Sequence, residues 1–351
     1  MVDTKLVIGE YTPDQSAEAL RLERLCVQGK AYRLSFNRST FHRRAENFAS
    51  YRIVTARQDQ LIGVLGMAQK EMMLCGRPVP AAFLFDLRVH PDFRGRGIAR
   101  CLAREARNWI LPRADLAYTY TMTENSTVSY LGELFGMRVV SDYRYLVMPT
   151  YRSKAPQLVA SAVTPQEVQE ALWRVAGPFD FAALPIVGDD APTQRRYQTG
   201  HVASWILQHG PELAGCSAWD NRGILGEVMA GMPAWLDLAK KLFGTWPFNR
   251  RSWPHIPTPG EELHSWYLYD FFATDGEIAR QLWLAINAKA QECGIDYCYL
   301  VHDAKEPWIR AIRSTVPASF APLVPYSLLA VPIHCQLPVT FSRLLVDVLD
   351  L

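Results

Sequence analysis

The order of elements is written twice along this chain of 351 residues. A repeat of that size limits the fold to two copies of one unit. Phe83-Leu-Phe-Asp-Leu-Arg-Val89 is answered by Tyr267-Leu-Tyr-Asp-Phe-Phe-Ala273, which sets Asp270 opposite Asp86. Ile98-Ala-Arg100 and Ile278-Ala-Arg280 each open a helix, and the apolar run from Leu116 to Thr121 is matched by Tyr297 to Val301. Tyr143 to Pro149 is answered by Tyr326 to Pro332, and Ala218 to Gly226 reads as the counterpart of the hairpin from Ala56 to Gly63. A tandem duplication accounts for all of these. Its seam falls between Tyr151 and Pro165, so the domains are set at 1–152 and 153–351. The Pro- and Trp-rich stretch from Thr245 to Pro259 reads as an insertion within the second copy.

Periodicity fills in the unit. Pro13 to Gln15 caps an amphipathic helix with Ala17, Leu20, Leu22 and Leu25 among its apolar positions. Two β-rich runs, Tyr51 to Ala56 and Leu61 to Gly66, flank a polar turn and predict a hairpin. Ala81 to Val89 is the strongest strand, stopped by Pro91. From Gly97 the period changes: Ile98, Leu102, Ala106, Trp109 and Ile110 share one helical face, with Arg100, Arg104 and Arg107 off it. A strand from Asp115 to Met122, a helix from Thr127 to Phe135 ended by Gly136, and a strand from Tyr143 to Met148 complete the unit.

The chemistry is concentrated in Val89-His-Pro-Asp-Phe-Arg-Gly-Arg-Gly-Ile-Ala-Arg100. A strand ends, two closely spaced glycines turn the chain, and an amphipathic helix begins at once. Glycines let the backbone approach a ligand, and the unpaired amides of a first helical turn suit a pyrophosphate. Two other phosphate motifs do not fit: GxxxxGK is absent, and Arg100 stands where GxGxxG needs its third glycine.

This stretch resembles the pyrophosphate motif of the GNAT acyltransferase superfamily, Arg/Gln-x-x-Gly-x-Gly/Ala, through Arg94, Gly97 and Ala99. The family's next motif, NxxAxxLYxxxGF, is similar to Asn125-Ser-Thr-Val-Ser-Tyr-Leu-Gly-Glu-Leu-Phe-Gly-Met137. The resemblance covers residues 10 to 150. It implies that Arg94, Gly95, Arg96, Gly97, Ile98, Ala99 and Arg100 cradle the pyrophosphate of acetyl-CoA or another acyl-CoA. It also implies that Leu87, Arg88 and Val89 hold the pantetheine arm like an added strand, with Asn125 alongside. The second copy has only Ala273-Thr-Asp-Gly-Glu-Ile278 in place of the loop, so one coenzyme site is expected, in the first half.

Transfer of an acyl group from a thioester to an amine needs a proton acceptor for the amine and a proton for the leaving thiolate. The family often supplies the latter from a tyrosine where this chain has Gly132, and Tyr130 is expected to point elsewhere on the helix. Tyr120 is the candidate substitute acid, although a packed strand tyrosine fits it equally well. Asp86 and Glu124 are the candidate bases. Asp86 stands in an apolar strand, where a carboxylate is costly unless paired or functional. Its repetition as Asp270 in a copy without the loop speaks equally for a structural role, pairing with Arg88 or a backbone group. Asn125 completes the candidate catalytic set. His90 is expected to face solvent. Arg33, Arg38, His42, Arg43 and Arg44 are read as a solvated face, with an acidic acceptor as the alternative.

Composition bounds the rest. The chain is 49% hydrophobic and 21% charged, as in globular proteins, with a formal charge of +2. That balance predicts neither nucleic acid nor a membrane surface as partner. The seven cysteines are scattered without metal-ligand spacing, so no metal is expected and reduced thiols are. With no apolar leader at the N-terminus and no stretch long enough to span a bilayer, a cytoplasmic protein is expected, monomer or homodimer. The reading is a mixed α/β fold of two tandem GNAT-like domains, each a twisted mixed sheet flanked by helices. The function implied is acyl-CoA-dependent N-acylation of a small-molecule or peptide amine. A non-catalytic acyl-CoA sensor and another CoA-thioester enzyme on the same scaffold, such as a decarboxylase or a longer-chain transferase, are the alternatives.

Overall fold

The computed structural model describes residues 5–30, 32–124, 127–153, 156–176, 179–183, 200–236, 238, 240, 255–303, 306–339, 341, 343–347 and 350. Most of the expected insertion from Thr245 to Pro259 lies outside them.

The first half runs β1 (Val7–Glu10), α1 (Ser16–Leu25), β2 (Arg33–Asn37), β3 (Ser50–Arg57), β4 (Leu61–Leu74), β5 (Arg77–Val89), α2 (Ile98–Ile110), β6 (Leu116–Met122), α3 (Thr127–Phe135) and β7 (Arg138–Pro149). Next come β8 (Ser161–Val163), α4 (Pro165–Ala176), β9 (Phe181–Ala182), β10 (His201–His209), β11 (Glu212–Asp220) and β12 (Gly226–Gly231). The chain continues with β13 (Ser265–Ala273), α5 (Gly276–Glu292), β14 (Tyr297–Asp303), α6 (Ile309–Arg313), β15 (Leu323–Pro332) and β16 (Leu344–Leu345).

One mixed sheet holds both copies, in the order β1-β3-β4-β5-β6-β15-β7-β14-β13-β11-β10-β8. The two copies exchange their last strands. β15 of the second half lies between β6 and β7 of the first, antiparallel to both, while β7 lies between β15 and β14. The seam expected between 152 and 153 therefore falls between strands that are interleaved in space.

Alternation along β5 places Ala81, Phe83 and Phe85 in one core and Ala82 and Leu84 in the other. The first core draws tyrosines from both halves, including Tyr143, Tyr145, Tyr267 and Tyr299. The second is closed by Ile98, Leu102 and Ala106 of α2, whose arginines at 100, 104 and 107 are exposed as the periodicity requires. A separate core packs Ile278, Leu282 and Ile286 of α5 against Trp266, Leu268 and Cys298.

Two expectations are corrected. The counterpart of the β3–β4 hairpin is β10–β11, turned at Gly210, and not Ala218 to Gly226. After Asp220 the chain leaves the sheet through a turn in which the Asn221 side chain donates to the Leu225 carbonyl at 2.9 Å. β12 then pairs with β2 as a separate two-stranded ribbon. The basic segment is solvated only in part: Arg33 is exposed, whereas Arg38 and Arg44 are buried.

Candidate active site

β5 and β6 run parallel and pair only at Ala81–Leu116, Ala82–Ala117 and Phe83–Tyr118. The Thr119 hydroxyl then donates to the Leu84 carbonyl at 2.8 Å, and beyond that tie the strands part. The cause is a bulge against β4, where the register shifts between Gly66–Phe85 and Val64–Arg88, with Asp86 at φ 54°. Three described non-glycine residues have positive φ, and two of them are Asp86 and its counterpart Asp270. The duplication thus extends to the bulge that opens each sheet.

At the end of the parted strand, residues Pro91–Phe93 form a short turn and Arg94 folds back, its Nε donating to the Val89 carbonyl at 3.2 Å. Arg96 lies over the Phe93 ring at 5.0 Å. Gly95 and Gly97 both have φ 76°, and Gly97 is the N-cap of α2. No side chain caps that helix and no acid stands in its first turn, so its amides and dipole face outward. The loop is exposed up to Gly97, while Ile98 and Ala99 are buried beneath it.

Loop and parted strands open into one cavity of about 920 Å³, lined by Leu87, Arg88, Val89, Arg94, Gly95, Gly97, Ile98 and Ala99 of the expected coenzyme set. Arg96 and Arg100 are exposed on the same turn and do not line it. Asp86, Tyr120 and Glu124 also line the cavity. Asn125 lies outside the described residues. His90 does not line it; the ring accepts a hydrogen bond from the Asp92 amide at 3.3 Å.

The environment of each candidate separates their roles. Asp86 accepts from Arg38 at 2.9 Å and has Arg88 at 3.5 Å and Arg44 at 3.8 Å, while Arg38 also pairs with buried Glu23. Burial would raise the Asp86 pKa, but the guanidiniums of Arg38, Arg44 and Arg88 overcome it and hold the carboxyl well below its ordinary range. A carboxylate so held is a poor base, and the structural alternative, with Arg38 and Arg44 added to Arg88, accounts for it. Glu124 is exposed at the end of β6. Among the described residues the buried Tyr120 hydroxyl has no hydrogen-bond partner, and burial, then Asp350 and Asp347, raise its pKa well above normal. The hydroxyl therefore keeps its proton at neutral pH.

A Cβ at Gly132 would meet the Met137 carbonyl oxygen at 3.2 Å, a tight contact that the helix end must relax to accept any side chain. Tyr130, against expectation, does line the cavity. Two carboxylates escaped the sequence reading. Asp350 accepts from Tyr118 at 2.7 Å and Lys70 at 2.6 Å, and burial raises its pKa to about 6. Glu227, on β12, accepts from the Tyr267 hydroxyl at 3.0 Å, and burial raises it to about 6. Its signal was present: a lone acid in Ile224-Leu-Gly-Glu-Val-Met-Ala230, an apolar run like the one that singled out Asp86.

An open amide crown beside a bulge-parted strand pair is suited to an extended, anion-tailed ligand laid along a strand edge. Residues 20–137 match the model of the acetyltransferase (GNAT) family, and the chain as a whole has the mixed α/β fold of two-domain GNAT-fold structures. It is similar to the acetyl transferase GW6a of Oryza sativa subsp. japonica, 26% identical over 211 residues, which are 57% of this chain and 49% of that protein. The match thus spans about half the length of that curated relative. Among solved structures it is similar to Saccharomyces cerevisiae N-myristoyltransferase with bound myristoyl-CoA, with a TM-score of 0.58 and 11% identity over 94% of this chain and 83% of the other. It is also similar to an acetyltransferase described as putative from Pyrococcus horikoshii, with a TM-score of 0.52 and 12% identity over 97% and 94% of the two chains. Identities this low establish a shared fold and nothing finer. Among the described residues, no helix is long and apolar enough to cross a membrane and no group of acids, histidines or cysteines could hold a metal.

Proposed function

We propose that this protein is an acyl-CoA-dependent N-acyltransferase that moves an acetyl group from acetyl-CoA to an amine. The observation that carries the reading is the continuity of one cavity from the uncapped N-terminus of α2, along Leu87 to Val89, to Tyr120. A coenzyme whose pyrophosphate sits on the Gly95–Gly97 turn would lay its pantetheine against β5 and direct its thioester into the parted strands. Holding both substrates in one cavity would supply much of the rate. An amide near Val89 would stabilise the oxyanion, and the Tyr120 hydroxyl would protonate the departing thiolate.

A longer acyl chain is the second reading, favoured by the apolar side of the cavity at Leu84, Phe85, Leu131 and Phe135. Calorimetric titration of acetyl-CoA into the wild-type protein and a Gly97→Glu variant tests the first. Wild type should bind at roughly 1 mM or tighter. The variant, checked for folding because a side chain at φ 76° costs about 1–2 kcal/mol, should lose binding. Absence of wild-type binding would sink the acetyl-CoA reading, and binding without turnover of any amine would mark a sensor.

A further inference from the structure

Three buried carboxylates line the cavity, and two have cationic partners within the chain. Asp86 has three arginines, and Asp350 has Lys70. Glu227 is only 7% exposed, yet among the described residues no lysine or arginine pairs with it. The Tyr267 hydroxyl donates to Oε1 at 3.0 Å, and Tyr299 is the carboxylate's other hydrogen-bonding neighbour. A buried carboxylate is expensive to keep without a cation, so the chain maintains an anion that faces a large cavity with tyrosine hydroxyls alone to balance it.

Its placement follows from the ribbon of β2 and β12, in which Glu227 pairs with Phe36 and Met229 with Leu34. Those four residues line the cavity. From Glu227 an aromatic wall leads back to the parted strands. Ring centroids are separated by 5.1 Å for Tyr299–Tyr267, 6.4 Å for Tyr267–Tyr145 and 4.4 Å for Tyr145–Tyr326. The wall continues at 5.4 Å for Tyr326–Tyr143 and 5.1 Å for Tyr143–Tyr120. Aromatic faces around a carboxylate attract an alkylammonium by charge and by cation–π contact, and neither feature favours an anion.

Building on the acyltransferase reading, we propose that Glu227 docks the acceptor, a primary ammonium compound whose apolar or aromatic body lies along the tyrosine wall. Glu227 holds the ammonium at the outer end of the wall, and the amine leaves it to reach the thioester at the parted strands, giving one proton to solvent. There the nitrogen lone pair attacks the thioester carbonyl, forming the C–N bond, and collapse of the tetrahedral adduct breaks the C–S bond. Tyr120 protonates the leaving thiolate and recovers its proton from the nitrogen, so the products are the amide and free CoA thiol. The acceptor half of the site would then belong to the second copy, through Glu227, Tyr267 and Tyr299.

The test uses the full chain, with 2-phenylethylamine as the probe and 2-phenylethanol as its uncharged counterpart, by calorimetry and thiol release in the presence of acetyl-CoA. Wild type should bind the amine saturably and discriminate against the alcohol. Glu227→Gln should weaken the amine about 10- to 100-fold with acetyl-CoA affinity unchanged. Equal amine binding by Glu227→Gln, no wild-type binding of the amine, or equal binding of amine and alcohol would overturn the assignment while leaving acyl-CoA binding intact. Loss of acetyl-CoA binding by wild type would instead remove the reading beneath it. Should Glu227→Gln not fold, a wild-type crystal soaked with the 4-bromo analogue decides: the ammonium at hydrogen-bond distance from Glu227 supports the proposal, and the amine placed elsewhere refutes it.

Discussion

The N-termini of α2 and α5 occupy the same place in the repeated order of elements and have opposite chemistry. At α2, Gly97 in the left-handed region leaves the first-turn amides uncapped, with Arg94 and Arg96 beside them. At α5, the Asp275 carboxylate accepts from the amides of Glu277 and Ile278, and Glu277 adds a second negative charge to the first turn. One helix presents an open positive end, while the other has filled it with its own side chain. Both strands before these helices keep the bulge, at Asp86 and Asp270, and both sheets part beyond it. The splay is therefore a property of the duplicated scaffold, and coenzyme capture depends on what stands at the helix end.

That contrast can be broken most severely by separating the copies. Residues 1–152 alone should show no cooperative unfolding transition by circular dichroism, because β6 and β7 would each lose the partner that β15 supplies. A sharp transition would mean that the halves are independent after all. Next in size, Asp86→Ala should destabilise the intact protein by about 3–5 kcal/mol, since it removes the buried carboxylate that Arg38 shares with Arg44 and leaves Glu23 as the acid paired with Arg38; chemical denaturation measures this.

Closing the difference from the other side, Asp275→Ala should uncap α5 and cost about 1 kcal/mol while leaving acetyl-CoA affinity unaltered. Any change in coenzyme affinity would place the second helix in the site. The pH dependence gives a similarly small effect. Glu227 has its pKa raised from 4.5 to about 6 on folding, so its contribution is fully present below pH 4.5 and is lost as pH rises through 6. Glu227→Gln should therefore gain about 2 kcal/mol relative to wild type at pH 8 and nothing at pH 4, read from thermal melts at both. Asp86 has the opposite sign. Its depressed pKa stabilises the fold above pH 3.8, and that contribution fades as acid protonates it.

Local signals were legible and distant ones were not. The α2 boundaries, Ile98 and Ile110, follow from a 3.6-residue apolar period bounded by a glycine, and the structure has the same limits. The loop, the bulged pair Asp86 and Asp270, and most strands of the repeat were also written in short stretches. The exchange of β7 and β15 was hidden, because Tyr326 to Pro332 reads equally well as a strand beside β14 or beside β6. Arg38 and Arg44 looked solvated, since nothing nearby in sequence announces that Glu23 and Asp86 close on them from opposite directions. Glu227 was missed for a related reason. Its neighbours Gly226 and Gly231 suggest a turn, and its cavity-facing role exists only once β12 crosses over to β2.

The interleaved strands also set a timetable for synthesis. β6 must wait for β15, whose first residue lies about 200 positions later, so at about 5–20 residues per second its edge stays unpaired for roughly 10–40 s after it emerges. During that interval Leu116, Ala117 and Tyr118, all buried in the finished sheet, stand at an open strand edge. The nascent chain thus presents an unpaired, apolar edge until β15 clears the ribosome.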